Sequence, residues 1–284
     1  MAIQCTKKIK NQHCIGGNSI KHLSASTVKS FKHCGKKYYF QKVKGIPDTV
    51  QYGMTNYGTA VHHAIEQLFL AKIDGYKMGI PELQDVFQKK YEEIYGYTTI
   101  WNEDTPEYLT EQGRLAVADF YNSFYDSIDP LSLEMEMQID RNGHVPIILR
   151  ADIVTKEGGI YDLKTGRGFS GSADEGDYIT QLVTYSIGYY AKFGVIPTET
   201  AIIKEKWGWK MTPAKKRKYY HKEWEKVSLP IDESWFPDIL NTYDTVEMAI
   251  KNNIYLPAKD NDPLCRNCSY RIQGYCNQKV LIKE

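Results

Sequence analysis

The spacing of apolar residues predicts helices in the first part of the chain. Apolar side chains recur every three or four residues there, so that Val61, Ile65 and Leu68, for example, share one helical face. Ser24 is suited to cap the first helix, because its hydroxyl can accept a hydrogen bond from a backbone amide. The predicted helices cover residues 23–42, 57–74, 82–95 and 106–127.

The period changes near residue 131, where apolar and polar residues begin to alternate as in a strand. Asn142-Gly143 and Gly158-Gly159 are turn signals that separate three such runs. A helix, a fourth strand and a last helix follow, so three antiparallel strands and a helical crossover to a parallel strand predict a mixed sheet. The runs are strands 131–139, 145–154, 160–164 and 200–209, with helices 178–193 and 233–252.

The composition is that of a globular protein. The 284 residues are 42% hydrophobic and 25% charged, which excludes a disordered chain or a coiled-coil rod. The net charge is only +1, so any nucleic-acid site must depend on local arrangement. No apolar run is long enough for a membrane helix, and residues 1–8 lack the apolar stretch of a signal peptide. We therefore expect a cytoplasmic protein with no membrane partner. The expected setting is a bacterium, an archaeon or, for a viral protein, the cytoplasm of the host.

Two aspartates and a lysine stand at the ends of neighbouring strands. Asp152 and Asp162 are nearly equidistant from the Gly158-Gly159 turn, so antiparallel pairing brings them near each other. Two carboxylates there would bind Mg²⁺ or Mn²⁺, and Lys164, two residues after Asp162, could orient water and offset phosphate charge. The alternative is that these residues form ordinary surface ion pairs.

Residues 204–226 combine nine basic residues, only three acids and interleaved Trp and Tyr residues. Lysines can neutralise phosphates while aromatic rings stack on unpaired bases, which favours DNA contact. The alternative is a solvated hairpin with its aromatic side chains turned inward.

Three of the six cysteines form a C-x2-C-x7-C pattern in the last twenty residues: Cys265, Cys268 and Cys276. In a reducing compartment this pattern indicates metal binding rather than disulfides. A fourth ligand must come from elsewhere in the chain, and thiolates alone do not separate zinc from an iron–sulfur cluster. Cys5 and Cys14 are spare candidates.

The motifs together resemble the RecB-like branch of the PD-(D/E)xK nuclease superfamily. Asp152 with Asp162-Leu163-Lys164 resembles the PD-(D/E)xK signature, and Gly58-Thr59-Ala60-Val61-His62 resembles the Gly-x-x-x-His helix of that branch. Gln181-Leu182-Val183-Thr184-Tyr185 resembles its Gln-x-x-x-Tyr motif. The cysteines resemble the split four-cysteine iron–sulfur site of AddB-type nucleases and CRISPR-associated exonucleases, with Cys34 as the fourth ligand.

The resemblance implies an α/β fold with a restriction-endonuclease-like mixed sheet, in the order αβββαβ. It adds an N-terminal helical part and a C-terminal Cys-rich tail that binds the cluster. The predicted segments are a flexible arm 1–22, a helical part 23–105, a nuclease core 106–210, a basic aromatic segment 211–230, and a last helix with the cysteine tail 231–284.

The resemblance also assigns roles. His62, Asp152, Asp162 and the Leu163 carbonyl would bind Mg²⁺ or Mn²⁺, with His63 as the reserve for His62 and Glu66 near the site. The residues expected to act in catalysis are Asp152, Asp162, Lys164, Gln181 and Tyr185, the last two contacting DNA or the lysine. Cys34, Cys265, Cys268 and Cys276 would bind a 4Fe-4S cluster, with zinc as the second choice.

The expected activity is that of a metal-dependent DNA exonuclease acting on single strands or DNA ends. Two alternatives remain: a non-catalytic DNA-binding module on the same scaffold, or a cluster-bearing subunit of a recombination or CRISPR adaptation complex. The chain has no Walker-type loop, so a helicase motor would be a separate partner.

Overall fold

The computed structural model describes residues 20–277, except for residues 99, 103, 168–171, 260–261, 263–264 and 266–267 and the side chains of 172–175. Cys5, Cys14 and most of the predicted N-terminal arm lie outside these residues. In the part of the chain described, no helix is long and apolar enough to cross a membrane.

The secondary structure follows the predicted order and adds one strand. The helices are α1 (Ala25–His33), α2 (Gly35–Tyr38), α3 (Gly53–Ile73), α4 (Ile80–Ile94), α5 (Pro106–Phe124), α6 (Ser172–Phe193), α7 (Phe236–Lys251) and α8 (Ser269–Ile272). The strands are β1 (Pro130–Ile139), β2 (Ile147–Thr155), β3 (Gly159–Lys164), β4 (Glu199–Met211) and β5 (Arg217–Ser228).

The strands form one mixed sheet in the order β1-β2-β3-β4-β5. The strands β1, β2 and β3 pair antiparallel, and β4 joins parallel to β3 after the α6 crossover. This confirms the predicted αβββαβ core. The added strand, β5, pairs antiparallel with β4, so the basic aromatic segment is part of the sheet.

Helices cover both faces of the sheet, which is why the strands carry apolar residues on both sides. On one face α3, α4 and α5 pack against strand residues such as Ile153, Leu163 and Ile203. On the other face α1, α6 and α7 pack against residues such as Leu149 and Ile202. The sheet edge reached by the end of β3 therefore lies between two helical layers.

The first predicted helix is interrupted at Cys34. Ser24 caps α1 as predicted, its hydroxyl accepting a hydrogen bond from the Thr27 amide at 3.2 Å. Cys34 has an extended backbone (φ −160°, ψ 100°), and its sulfur accepts a hydrogen bond from the Lys37 amide at 3.4 Å, which caps α2. The break turns Cys34 toward the C-terminal tail. Pro146 lies just before β2, as its missing amide requires.

Candidate active site

The two predicted aspartates face each other across neighbouring strands. Ile153 pairs with Tyr161, which places Asp152 opposite Asp162 on the same face of the sheet. Asp162 is 1% exposed, and the Asp152 side chain is 18% exposed. The Leu163 amide donates a hydrogen bond to Asp152 Oδ2 at 2.7 Å, which fixes that carboxylate at the edge of the sheet.

Asp162 is held from both of its oxygens. Gln181 Nε2 donates to Asp162 Oδ1 at 2.8 Å, and the Tyr185 hydroxyl donates to the same oxygen at 3.1 Å. Lys164 Nζ forms an ion pair with Asp162 Oδ2. Gln181 and Tyr185 share one face of α6 because they are four residues apart. Tyr185 is only 4% exposed, so its described contact is with Asp162 rather than with solvent or the lysine.

His62 reaches the acidic pair from helix α3. Its Nδ1 lies 4.0 Å from Asp152 Oδ2, and a third of the side chain is exposed. Gly58, one turn earlier on the same face, lets the helix approach the loop after β3, since a Cβ there would lie 2.5 Å from Thr165 Oγ1. The Gly-x-x-x-His spacing thus has a packing reason: the glycine allows the contact that brings the histidine to the strands.

The pKa shifts of His62 and Asp152 indicate that the carboxylates of this site lack enough positive charge around them. Burial lowers the pKa of His62 to about 4, opposed by Asp162 and assisted by Lys164. The ring is therefore neutral at physiological pH, with a lone pair available to a cation. Burial and the negative Asp162 raise the pKa of Asp152 well above its ordinary value, although Lys164 and the Leu163 amide oppose the rise. A divalent cation would relieve this repulsion, so the residues present fit the metal that the motifs imply.

Glu134 is an acidic residue at this site that the sequence analysis missed. Its neighbours on β1 pair with Ile153 and Ala151, so Glu134 lies opposite Asp152. It lines a small cavity together with His62, Asp152 and Leu163. Burial raises the pKa of Glu134, while Arg150, 3.6 Å away, opposes the rise. The Asn142-Gly143 turn carried the missed signal, because a hairpin centred there sets residues near 134 opposite residues near 152.

An open groove of about 650 Å³ lies on the other side of His62, between helix α3 and the loop that follows β3. Its lining includes His62, His63, Glu66, Lys90 and Thr165. His63, the reserve ligand, lies 3.8 Å from Glu66 Oε2 on the groove wall. Of the two histidines, His62 is therefore the one that points toward Asp152.

A second cluster of one histidine and two acids lies between the β1–β2 hairpin and α7. Ligand atoms of His144, Asp244 and Glu247 lie within 4.8 Å of one another, a spacing that a divalent cation can use. Arg141 already forms ion pairs with Asp244 and Glu247, and Lys251 pairs with Glu247 at 2.6 Å. Cationic side chains thus supply the positive charge in this cluster.

The four predicted thiolate ligands line one small cavity of about 20 Å³, next to Phe40 and Tyr270. They are Cys34, Cys265, Cys268 and Cys276. Burial and the charges of neighbouring cysteines and Asp262 raise the pKa of Cys265. Among the described residues, however, no three of these sulfurs lie within 4.8 Å of one another. A zinc tetrahedron with bonds of about 2.3 Å has sulfurs only about 3.8 Å apart, so the set is more open than a zinc site.

Comparisons with known proteins agree with the motifs. The sequence model of the PD-(D/E)XK nuclease superfamily matches residues 22–276. A "Putative exonuclease" from Eubacterium rectale has a similar fold, with a TM-score of 0.52 at 15% identity over 87% of each chain. The crystal structure of SSO0001 aligns with a TM-score of 0.38 at 14% identity, over 93% of this chain and 89% of that one. No curated protein sequence is significantly similar to this chain.

Proposed function

Because this chain belongs to the PD-(D/E)XK nuclease superfamily, we propose that it is a metal-dependent DNA nuclease that hydrolyses phosphodiester bonds. The observation that carries the proposal is the meeting of His62 with Asp152, Asp162 and Lys164 at one sheet edge. The preference for single strands or DNA ends, as an exonuclease, follows the resemblance of the motifs and the name of the Eubacterium rectale neighbour.

In this proposal His62, Asp152, Asp162 and the Leu163 carbonyl hold Mg²⁺ or Mn²⁺. A bound divalent cation supplies Lewis acidity to the scissile phosphate and to the attacking water. The Lys164 ammonium, held by its ion pair with Asp162, stabilises negative charge on the phosphate and orients the water.

Gln181 and Tyr185 act through Asp162. Their hydrogen bonds to Oδ1 hold the carboxylate in one orientation, with Oδ2 directed toward Lys164. We assign them a positioning role, since Tyr185 is buried behind the aspartate. In this proposal DNA contacts the groove lined by His62, Thr165 and Lys90 instead of Gln181 and Tyr185.

The test is digestion of end-labelled single- and double-stranded DNA with Mg²⁺ and with Mn²⁺. Asp162→Asn keeps the shape of the side chain but removes its charge, so we expect cleavage to fall at least about a thousandfold while thermal unfolding changes little. Asp126→Asn, at a site outside the groove, is the matched control. Wild-type protein that binds DNA but cleaves in neither metal would favour the non-catalytic subunit of a recombination or CRISPR adaptation complex.

We further propose that Cys34, Cys265, Cys268 and Cys276 hold a 4Fe-4S cluster, with zinc as the second choice. Support comes from the four thiols that line one cavity and from the resemblance of their order in the sequence to the split four-cysteine site. Such a group would join residues 34 and 265 and so tie α2 to the C-terminal tail. Protein purified without oxygen should be coloured and contain iron, and Cys268→Ala should remove both. A colourless wild type that contains zinc would contradict the cluster.

A further inference from the structure

The hairpin made by β4 and β5 extends past the edge at which the acidic pair lies. Lys204 on β4 is in register with Lys164, the last residue of β3. From Glu205 to Met211, β4 continues with only β5 beside it. Seven residues of strand span about 20 Å, so the hairpin projects from the sheet on the side of the candidate active site.

The base of the hairpin, residues 204–208 and 219–226, pairs each lysine with an acid. Lys204 stands opposite Glu225 and forms an ion pair with it at 3.2 Å. Lys206 stands opposite Glu223, with an ion pair at 3.6 Å. Opposite charges across two strands stabilise their pairing, so these lysines have a structural partner within the sheet.

The tip of the hairpin, residues 209–218, places like charges opposite each other. Lys210 stands directly opposite Lys218, and like charges at such positions destabilise a strand pair. The tip contains no acidic residue. Its five basic residues are Lys210, Lys215, Lys216, Arg217 and Lys218. In a chain of net charge +1, this is a local concentration of positive charge, which attracts polyanions.

The tip also exposes apolar surface among these charges. Trp209 is 52% exposed and Met211 is 55% exposed. The Arg217 guanidinium lies 4.7 Å from the centre of the Trp209 ring, so an indole and a flat cation are stacked together. A stacked aromatic ring with lysines around it is the arrangement that proteins use for unpaired bases and their phosphates.

The base of the hairpin is fixed to the loop that follows Lys164. Arg167, three residues after that lysine, makes two hydrogen bonds to Asp104 at 2.7 and 2.8 Å. Its guanidinium lies 4.7 Å from the Trp207 ring centre and 5.0 Å from that of Tyr219, one on each strand. The position of the hairpin relative to the candidate active site is therefore set by direct contacts.

We infer that the tip binds single-stranded DNA, with its lysines on the phosphates and Trp209 stacked on a base. This inference rests on the proposed nuclease function and names the form of the substrate that the hairpin selects. An indole can stack on an unpaired base but finds no free base face along an intact duplex, so the tip favours single strands. The lysines of the base, which are paired with acids, take no part.

The test compares two triple variants that lose the same charge. The tip variant carries Lys210→Gln, Lys215→Gln and Lys216→Gln, and the base variant carries Lys206→Gln, Lys222→Gln and Lys226→Gln. Binding of a fluorescent oligothymidine is measured by anisotropy in EDTA, which prevents cleavage, at several salt concentrations. The tip variant should bind at least tenfold more weakly, and its salt slope should fall by about 2, because each lost phosphate contact contributes about 0.7.

Trp209 gives a second, independent measurement. Trp209→Ala should weaken binding by about 5- to 150-fold with an unchanged salt slope, and Trp209→Phe should restore most of it. Equal losses in the tip and base variants, or wild-type affinity in Trp209→Ala, would overturn the inference, as would equal preference for duplex. Because binding is measured without cleavage, a wild type that binds through the tip but does not cut would defeat only the nuclease proposal. A wild type that cuts while the tip variant binds normally would defeat only this one.

Discussion

Two clusters in this protein contain one histidine and two acids, yet their electrostatics are opposite. In one, His62 faces Asp152 and Asp162; in the other, His144 lies 3.4 Å from oxygens of Asp244 and Glu247. By ligand spacing alone the second is the tighter cluster. Residue type and distance therefore do not distinguish a cation site from a structural ion-pair network.

The distinction comes from the charges around each cluster. Lys251, the Val145 amide and Arg141 lower the pKa of Glu247 against the effect of burial. At the sheet edge burial and a second carboxylate instead raise the pKa of Asp152. The fold therefore stabilises the charged form of Glu247 and destabilises the charged form of Asp152. A carboxylate whose charged form is destabilised is typical of a functional site.

The largest effect is expected from removing the guanidinium of the second cluster. Arg141 and Glu247 are 7% and 1% exposed, so Arg141→Ala takes a buried guanidinium away from Glu247, Asp244 and the Val145 carbonyl, although Glu247 keeps Lys251 and the Val145 amide. We expect a loss of about 3–5 kcal/mol in the free energy of unfolding, with cleavage per folded molecule retained. Urea denaturation and a cleavage assay at low temperature measure the two quantities.

Its control is an exposed pair of the same type. Lys156 and Asp129 form an ion pair at 3.0 Å with side chains 58% and 47% exposed. Lys156→Ala should cost less than about 1 kcal/mol. A loss as small as this in Arg141→Ala, or cleavage abolished in the folded variant, would show that the second cluster is not a purely structural network.

The sequence predicted those parts of the site that local patterns determine. Asp152, Asp162 and Lys164 follow from strand period and one glycine turn, and the mixed sheet follows from the element order. Long-range pairing was less accessible. Glu134 was missed because its place opposite Asp152 depends on the register between β1 and β2.

The last strand was missed for a related reason. The basic and aromatic residues of 204–226 favoured DNA contact, with a solvated hairpin as the alternative. On the hairpin base, however, Lys204 and Lys206 each stand opposite an acid on the neighbouring strand. Charge pairing of this kind cannot be predicted until the register between β4 and β5 is known. The break of the first helix at Cys34 has a local part, because Gly35 follows and disfavours a helix interior. It also has a tertiary part, because a Cβ at Gly35 would lie 2.9 Å from the Leu256 backbone.

An intermediate effect is expected from metal binding. At a Mn²⁺ concentration 100 times the dissociation constant, the wild type should gain about 2.7 kcal/mol of stability, seen as a rise in melting temperature over the EDTA form. Asp152→Asn should lose most of this gain, because Asp152 is a proposed ligand. Asp244→Asn should keep it. The reverse result would place the cation at the second cluster, and the electrostatic distinction between the two clusters would then be wrong.

The smallest effect is expected from neutralising one carboxylate of each cluster in metal-free protein. The change in folding stability should have opposite signs in the two clusters. An acid with a raised pKa in the folded state reduces stability at pH values above its unfolded pKa, whose ordinary value for Asp152 is 3.8. Asp152→Asn should therefore raise stability at pH 7 by about 1 kcal/mol, and this gain should vanish once the pH falls below the unfolded pKa of 3.8.

Glu247, whose pKa is lowered from an ordinary 4.5, stabilises the fold above that value and loses this contribution as pH falls through its folded pKa. Glu247→Gln should therefore lower stability at pH 7, and the deficit should shrink in acid. Melting temperatures of both variants in EDTA between pH 3 and pH 8 measure the two differences, and a common sign would mean that the two carboxylates are held alike.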